Sequence, residues 1–204
     1  MSLSIRPYQA GDEAAVYDIC VRTGDDGQDA TGRLDDVQLL ADIWAGPYLF
    51  LEPDLAFVLD DGERPVGYVL GTADTATFVE SYRKSWLPRF SEALPARTIA
   101  AGPEERQLLS VLRHPERMLC PELTGYPAHL HIDILPAHQG GGNGRRLIEI
   151  FVQAVTRAGA VGLHVAVSPT NTRAHGFYLR VGFERLHITG CGGAFFYGLK
   201  TPAA

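Results

Sequence analysis

Residues 139 to 144 read Gln-Gly-Gly-Gly-Asn-Gly, and Arg145 and Arg146 follow. Before this run stands Leu130-His131-Ile132-Asp133-Ile134-Leu135-Pro136, an apolar stretch stopped by proline. After it, Leu147, Ile148, Phe151, Val155 and Ala158 recur at helical spacing. The pattern predicts a strand, a glycine loop and the start of an amphipathic helix. The first turn of such a helix carries N–H groups without partners, and its dipole favours an anion. Glycines bend the chain at positive φ and let a phosphate approach without meeting a Cβ. The segment predicts a site for a phosphorylated ligand.

Two familiar phosphate loops are excluded. The nucleoside-triphosphate loop ends in Gly-Lys-Ser/Thr, whereas Gly144 is followed by Arg145. The dinucleotide fingerprint needs a third glycine, and that place falls on Arg145 or on Leu147. The pattern that fits is Gln139-x-x-Gly142-x-Gly144, after Ile-x-Ile-Leu-Pro and before an amphipathic helix. A second run, 161 to 183, leads from an alternating strand through Asn171 to a short helix with Ala174, Phe177 and Tyr178, then Gly182-Phe183. Together the two runs resemble the GNAT superfamily of N-acetyltransferases. Ile5-Arg6-Pro7-Tyr8, the stretch from Asp12 to Cys20, and Thr23-Gly24-Asp25-Asp26-Gly27 are similar to bacterial acetyltransferases related to the C-terminal domain of eukaryotic O-GlcNAc hydrolase.

The resemblance implies an α/β fold with a central, splayed mixed sheet flanked by helices. It implies one domain over 1–204, with a Pro-interrupted helical insertion at about 75–128 on the acceptor side. It implies acetyl-CoA as cosubstrate and an amine acceptor, a small molecule or a peptide, attacked without an acyl-enzyme. Gln139, Gly140, Gly141, Gly142, Asn143 and Gly144 would hold the pyrophosphate through backbone N–H groups, with charge from Arg145 or Arg146. The backbone of Ile134 and Leu135 would pair with the pantetheine arm where the two central strands part. Asn171 would bond the pantetheine or cap its helix. Tyr178 is the candidate general acid for the departing thiolate, or else a core aromatic. Asp25, Asp26 and Asp29 lie in a loop bordering the acceptor pocket; they would receive a cationic amine or simply make turns. The competing function is a catalytically silent module that holds acetyl-CoA or a peptide.

His131 and Asp133 are two apart on a predicted strand and share one face. Polar groups there need a partner or a cavity. Asp133 is a candidate base, directly or through water, and His131 a second; the alternative is a satisfied buried pair. His129 extends the pattern to His-x-His-x-Asp, a possible metal set, but Ile134 stands where the related hydrolase motif has another His. No metal is expected.

The net charge of −6 argues against a nucleic-acid binder. No apolar stretch reaches membrane length, and Met1 opens no signal-peptide pattern; a cytoplasmic protein is expected, a monomer or a homodimer paired through its last hairpin. The three cysteines, Cys20, Cys120 and Cys191, are odd in number and widely spaced, which suggests reduced thiols. A hairpin is expected around Asp61-Gly62. Helices are expected at Leu34–Ala45, from Thr77 to Trp86 with Thr77 and Glu80 as a capping box, and at Glu104–Leu112.

Overall fold

The apolar alternation before the glycine loop folds as β4 (Ala128–Ile134), the fourth of seven strands in residues 3–202, which the computed structural model describes. The others are β1 (Ser4–Pro7), β2 (Phe57–Asp60), β3 (Pro65–Thr72), β5 (Gly162–Val167), β6 (Glu184–Leu186) and β7 (Phe195–Lys200). They form one mixed sheet in the order β1-β2-β3-β4-β5-β7-β6. The expected hairpin around Asp61-Gly62 joins β2 to β3, with Gly62 at φ 98°.

Every neighbouring pair is antiparallel except β4 and β5. That parallel pair is joined at Ala128↔Leu163 and His129↔His164, and beyond those positions the strands part. The central splayed sheet is therefore present.

The helices are α1 (Glu13–Arg22), α2 (Gln38–Trp44), α3 (Gly46–Leu51), α4 (Thr75–Ser81), α5 (Leu94–Ala100), α6 (Pro103–Arg113), α7 (Asn143–Arg157) and α8 (Thr172–Arg180). The helix opened by the glycine loop is α7; Ala158 lies just past its end and is exposed. It packs on β2, β3 and β4, while α1 and α3, which lie between β1 and β2 in sequence, pack against β3. Leu147, Phe151 and Val155 of α7 are fully buried, each contributing about 1.5–3 kcal/mol.

Three expectations need correction. The helix expected over Leu34–Ala45 starts only at Gln38, as α2, and a further helix, α3, follows directly with Pro47 in its first turn, where proline is tolerated. The helix expected from Thr77 begins at Thr75, and its cap is Asp74, whose Oδ1 accepts from Thr77 N at 2.8 Å. The third concerns the thiols. Cys120 and Cys191 form a disulfide across 71 residues, with Cα atoms 5.8 Å apart. The end of the insertion folds back over the β6–β7 connection, where Glu122 also accepts from Gly190 N at 3.0 Å. Sequence spacing carries no sign of that proximity. Cys20 alone is a free, buried thiol.

Candidate active site

The glycine loop is shaped by backbone conformations that only glycine adopts at low cost. Gly140, Gly141 and Gly142 have φ of 84°, 57° and 80°. Asn143 N donates back to Gly140 O at 3.2 Å, and Arg146 N donates to Gly142 O at 3.1 Å. Among the described residues, the N–H groups of Gly140, Gly141, Gly142, Gly144 and Arg145 have no protein acceptor. Five donors at the start of a 15-residue helix suit a multiply charged phosphate group. Gly144 has a different task. A Cβ there would lie 2.9 Å from the Phe177 ring, so its absence lets α7 and α8 meet.

Gln139 ties the loop to the sheet, since its Nε2 donates to Ile134 O at 2.7 Å. Asn143 is corrected from ligand to scaffold. It is buried, its Nδ2 donates to His138 O at 3.2 Å and its Oδ1 accepts from Arg146. Arg146 is thereby turned away, whereas Arg145 lines the cleft while donating to Arg180 O at 2.7 Å.

The cleft, about 470 Å³, runs from this loop into the gap between β4 and α8. Leu135 N donates to Val66 O at 2.9 Å. Ladder bonds alternate along an antiparallel pair, so Asp133 and His131 also turn their backbone groups to β3. Ile132 and Ile134 turn theirs to the gap, and both line the cleft. Leu135 does not serve there, because its C=O accepts from His138 N at 2.8 Å and its N–H is spent on β3.

Asp133 faces the cleft from the β4 side. Burial pushes its carboxyl up to about 7, while the hydrogen bond from Tyr68 draws it back. Tyr68 Oη donates to Asp133 Oδ2 at 2.7 Å. Tyr178 is 6% exposed and lines the same cleft, and its hydroxyl has no protein partner among the described residues. Burial, and then Asp133, raise its phenol well above the ordinary value, so it stays protonated. Asn171 both caps α8, accepting from Ala174 N at 3.0 Å, and lines the cleft.

His131 does not line this cleft. Its Nε2 lies 3.1 Å from Tyr48 Oη, and burial, with Arg117 and His164, holds its imidazole down at about 3. A ring so hard to protonate is a poor base. His129 Nε2 shares the same Tyr48 hydroxyl at 2.8 Å, while Asp133 turns to Tyr68, so the His-x-His-x-Asp donors do not converge on one point.

Of the three loop acids, Asp26 alone lines the cleft. It sits at φ 50°, and its Oδ2 accepts from Thr170 Oγ1 and from Ser168 Oγ at 3.4 Å, bridging the mouth. Asp25 is paired with Arg33, and Asp29 closes a turn on Thr31 N at 2.8 Å. Missed in the sequence were Thr23, Arg173 and Arg180, all on the cleft wall. The two arginines are seven apart on α8, a same-face spacing that signalled a cationic stripe.

A sheet opened between two parallel strands, with a helix start suited to phosphate at its mouth, is the architecture of acyltransferases that use coenzyme A. The chain belongs to the acetyltransferase (GNAT) family, whose pattern matches residues 26–183. It is similar to the crystal structure of SsHAT, with TM-score 0.91, 44% identity and 100% coverage of both chains. Protein O-GlcNAcase of Rattus norvegicus and of Mus musculus are each 29% identical over 190 residues. That match takes in 92% of this chain and 21% of each relative, so the chain spans about a fifth of their length. YncA of Salmonella typhimurium, solved with its cofactor acetyl-CoA, shares the fold at TM-score 0.55 and 15% identity, over 99% of this chain and 95% of its own.

Proposed function

We propose that the protein is an acetyl-CoA-dependent N-acetyltransferase that delivers acetyl directly to the amine of a small-molecule or peptide acceptor. What carries this is one cleft holding both the partnerless loop amides and two groups suited to proton traffic, Asp133 and Tyr178. The residues fit the cosubstrate. The amides of Gly140 to Gly142, Gly144 and Arg145 would hold the pyrophosphate, with Arg173 and Arg180 adding positive charge. The gap-facing backbone of Ile132 and Ile134 would hold the pantetheine. Bound there, acetyl-CoA supplies an activated acetyl thioester.

Asp133, titrating near neutrality, takes the proton from the acceptor nitrogen, directly or through a water. Tyr178 holds its proton at Oη until the thiolate leaves, then donates it. A cationic amine is drawn first to the acids, Asp26 at the mouth and Asp133 within. Calorimetry with acetyl-CoA, followed by CoA-release assays over an amine panel, tests the proposal. Binding with release for at least one amine supports it. Binding without release for any acceptor leaves a silent module instead. Tyr178→Phe is expected to lower turnover by about a hundredfold or more while leaving acetyl-CoA affinity within about twofold. Native turnover in that variant removes Tyr178 as the acid.

A further inference from the structure

Tyr68 stands on β3 directly opposite Asp133 on β4, in the register Tyr68↔Asp133, so the two side chains share one face. Tyr68 is 1% exposed and does not line the cleft. Its hydroxyl donates to Asp133 Oδ2 at 2.7 Å, with the Cys20 thiol also beside it. Cys20, itself buried, packs beside it from α1, and Thr23 flanks Asp133 at the cleft wall. Among the described residues, no side chain with a full positive charge is paired with this carboxylate. A buried carboxylate without a cation depends on its hydrogen bonds to stay ionised.

We infer that Tyr68 is a positioning residue of the transfer reaction: its O–H fixes one oxygen of Asp133, aims the other at the cleft, and favours the ionised carboxylate that can accept a proton. This rests on the proposed function above, but the Tyr68–Asp133 pairing is testable without turnover. Tyr68 touches neither acceptor nor acetyl-CoA; it acts only through Asp133. The proton it holds stays on the phenol, whose own ionisation burial and the adjoining carboxylate oppose. The proton leaving the acceptor nitrogen goes to the free Asp133 oxygen.

The test is Tyr68→Phe, which keeps the ring and removes the hydroxyl. Thermal melting and acetyl-CoA affinity check that the fold and the cosubstrate site are intact. The first readout is the ¹³C carboxyl titration of Asp133 by NMR, assigned by comparison with Asp133→Asn. Losing a hydrogen bond to a charged group is expected to move that titration upward by about one to two pH units. The second readout is kcat/KM against pH with one amine acceptor. Dividing the variant's profile by the native one cancels the acceptor's own titration. The ratio is expected near one-tenth at pH 7, recovering towards one by about pH 9. A merely structural role would lower the ratio equally at every pH. An unmoved titration with a flat ratio overturns the inference. If native protein acetylates no amine, the proposed function fails while the titration still decides whether the Tyr68 hydroxyl favours the ionised Asp133.

Discussion

Tyr48 places one hydroxyl between two imidazoles, 2.8 Å from His129 Nε2 and 3.1 Å from His131 Nε2. The neighbouring bonds fix the protons. Thr75 Oγ1 donates to Pro127 O at 2.7 Å, so it accepts from His129 Nδ1–H at 2.8 Å. His129 Nε2 is then the bare nitrogen that accepts from Tyr48, and the Tyr48 oxygen accepts from His131 Nε2–H. Tyr48→Phe would leave both nitrogens without a partner in a buried cluster. We expect a loss of about 2–4 kcal/mol of stability at pH 7.5, measured by chemical denaturation. A loss under about 0.5 kcal/mol would show that water replaces the hydroxyl.

The same cluster sets the response to acid. The imidazoles of His129, His131 and His164 are all held below their ordinary value, His131 at about 3, with burial the largest cause. Between about 6.5 and the folded value the unfolded chain holds more protons, so stability present above 6.5 is lost as pH falls. Asp133 acts in the opposite sense, since its folded carboxyl titrates near 7. Asp42 and Glu52, which burial also raises though by less, act with Asp133, and the three depressed imidazoles outweigh these carboxyls. Unfolding free energy is expected to fall steadily from pH 7 to pH 4.5, and a rise over that range would contradict the cluster's burial.

Gly144 joins the cosubstrate loop to α8. A methyl group at 144 would press on Phe177 from 2.9 Å and push apart the two helices that wall the cleft. Overpacking of this kind costs about 1–3 kcal/mol. Gly144→Ala is expected to weaken acetyl-CoA binding about tenfold in calorimetry, with a smaller change in melting temperature. Phe177→Leu should relieve part of the loss, because the wall it presses on becomes flexible.

The sheet, the glycine loop and the two helices beside it were legible because their signals are local. Alternation marks β4, helical spacing marks α7, and a cap marks α8. What the sequence left open depends on contacts between distant segments. Leu135 reads like Ile134 until the β3 register turns its N–H towards Val66. Asn143 reads as a loop ligand until the chain reversal at His138 claims its amide. His131 shares a strand face with Asp133, yet Tyr48 from α3 holds the one and Tyr68 from β3 the other. Asp25, Asp26 and Asp29 are alike in sequence; Arg33 and Thr31 decide which of them faces away.

The disulfide ties the end of the insertion to the loop before β7, over a 71-residue separation. Closing so long a loop removes about 4 kcal/mol of unfolded-chain entropy on the simple chain model. Reduction with a dithiol, or Cys120→Ala, is expected to lower the melting temperature by roughly 8–16 °C. Acetyl-CoA affinity should hold, because neither cysteine lines the cosubstrate cleft. Unchanged melting on reduction would mean that Glu122 and the packing around Tyr126 already hold the insertion in place.

Asp133 sets activity against stability. Its folded carboxyl titrates near 7, well above an ordinary carboxylate, with burial as the leading cause. A raised acid favours the folded state where it is protonated in the fold, so this contribution is lost as pH rises from about 4 to about 7. Above pH 7 the native protein carries a half-buried charge whose hydrogen-bond donor among the described residues is the Tyr68 hydroxyl. Asp133→Asn keeps an oxygen for the Tyr68 bond and removes the charge. The full shift corresponds to about 4 kcal/mol; the open cleft screens part of it, so a gain of about 1–3 kcal/mol is expected at pH 8. Below pH 4, where the native side chain is protonated in both states, the gain should vanish. Denaturation of both proteins at pH 4 and pH 8 measures the difference, and acetyl transfer by the stabilised variant should be nearly abolished. Equal stability at both pH values would mean that Asp133 is solvated in the free protein and titrates as an ordinary carboxylate, too weak a base at neutrality for the role assigned to it.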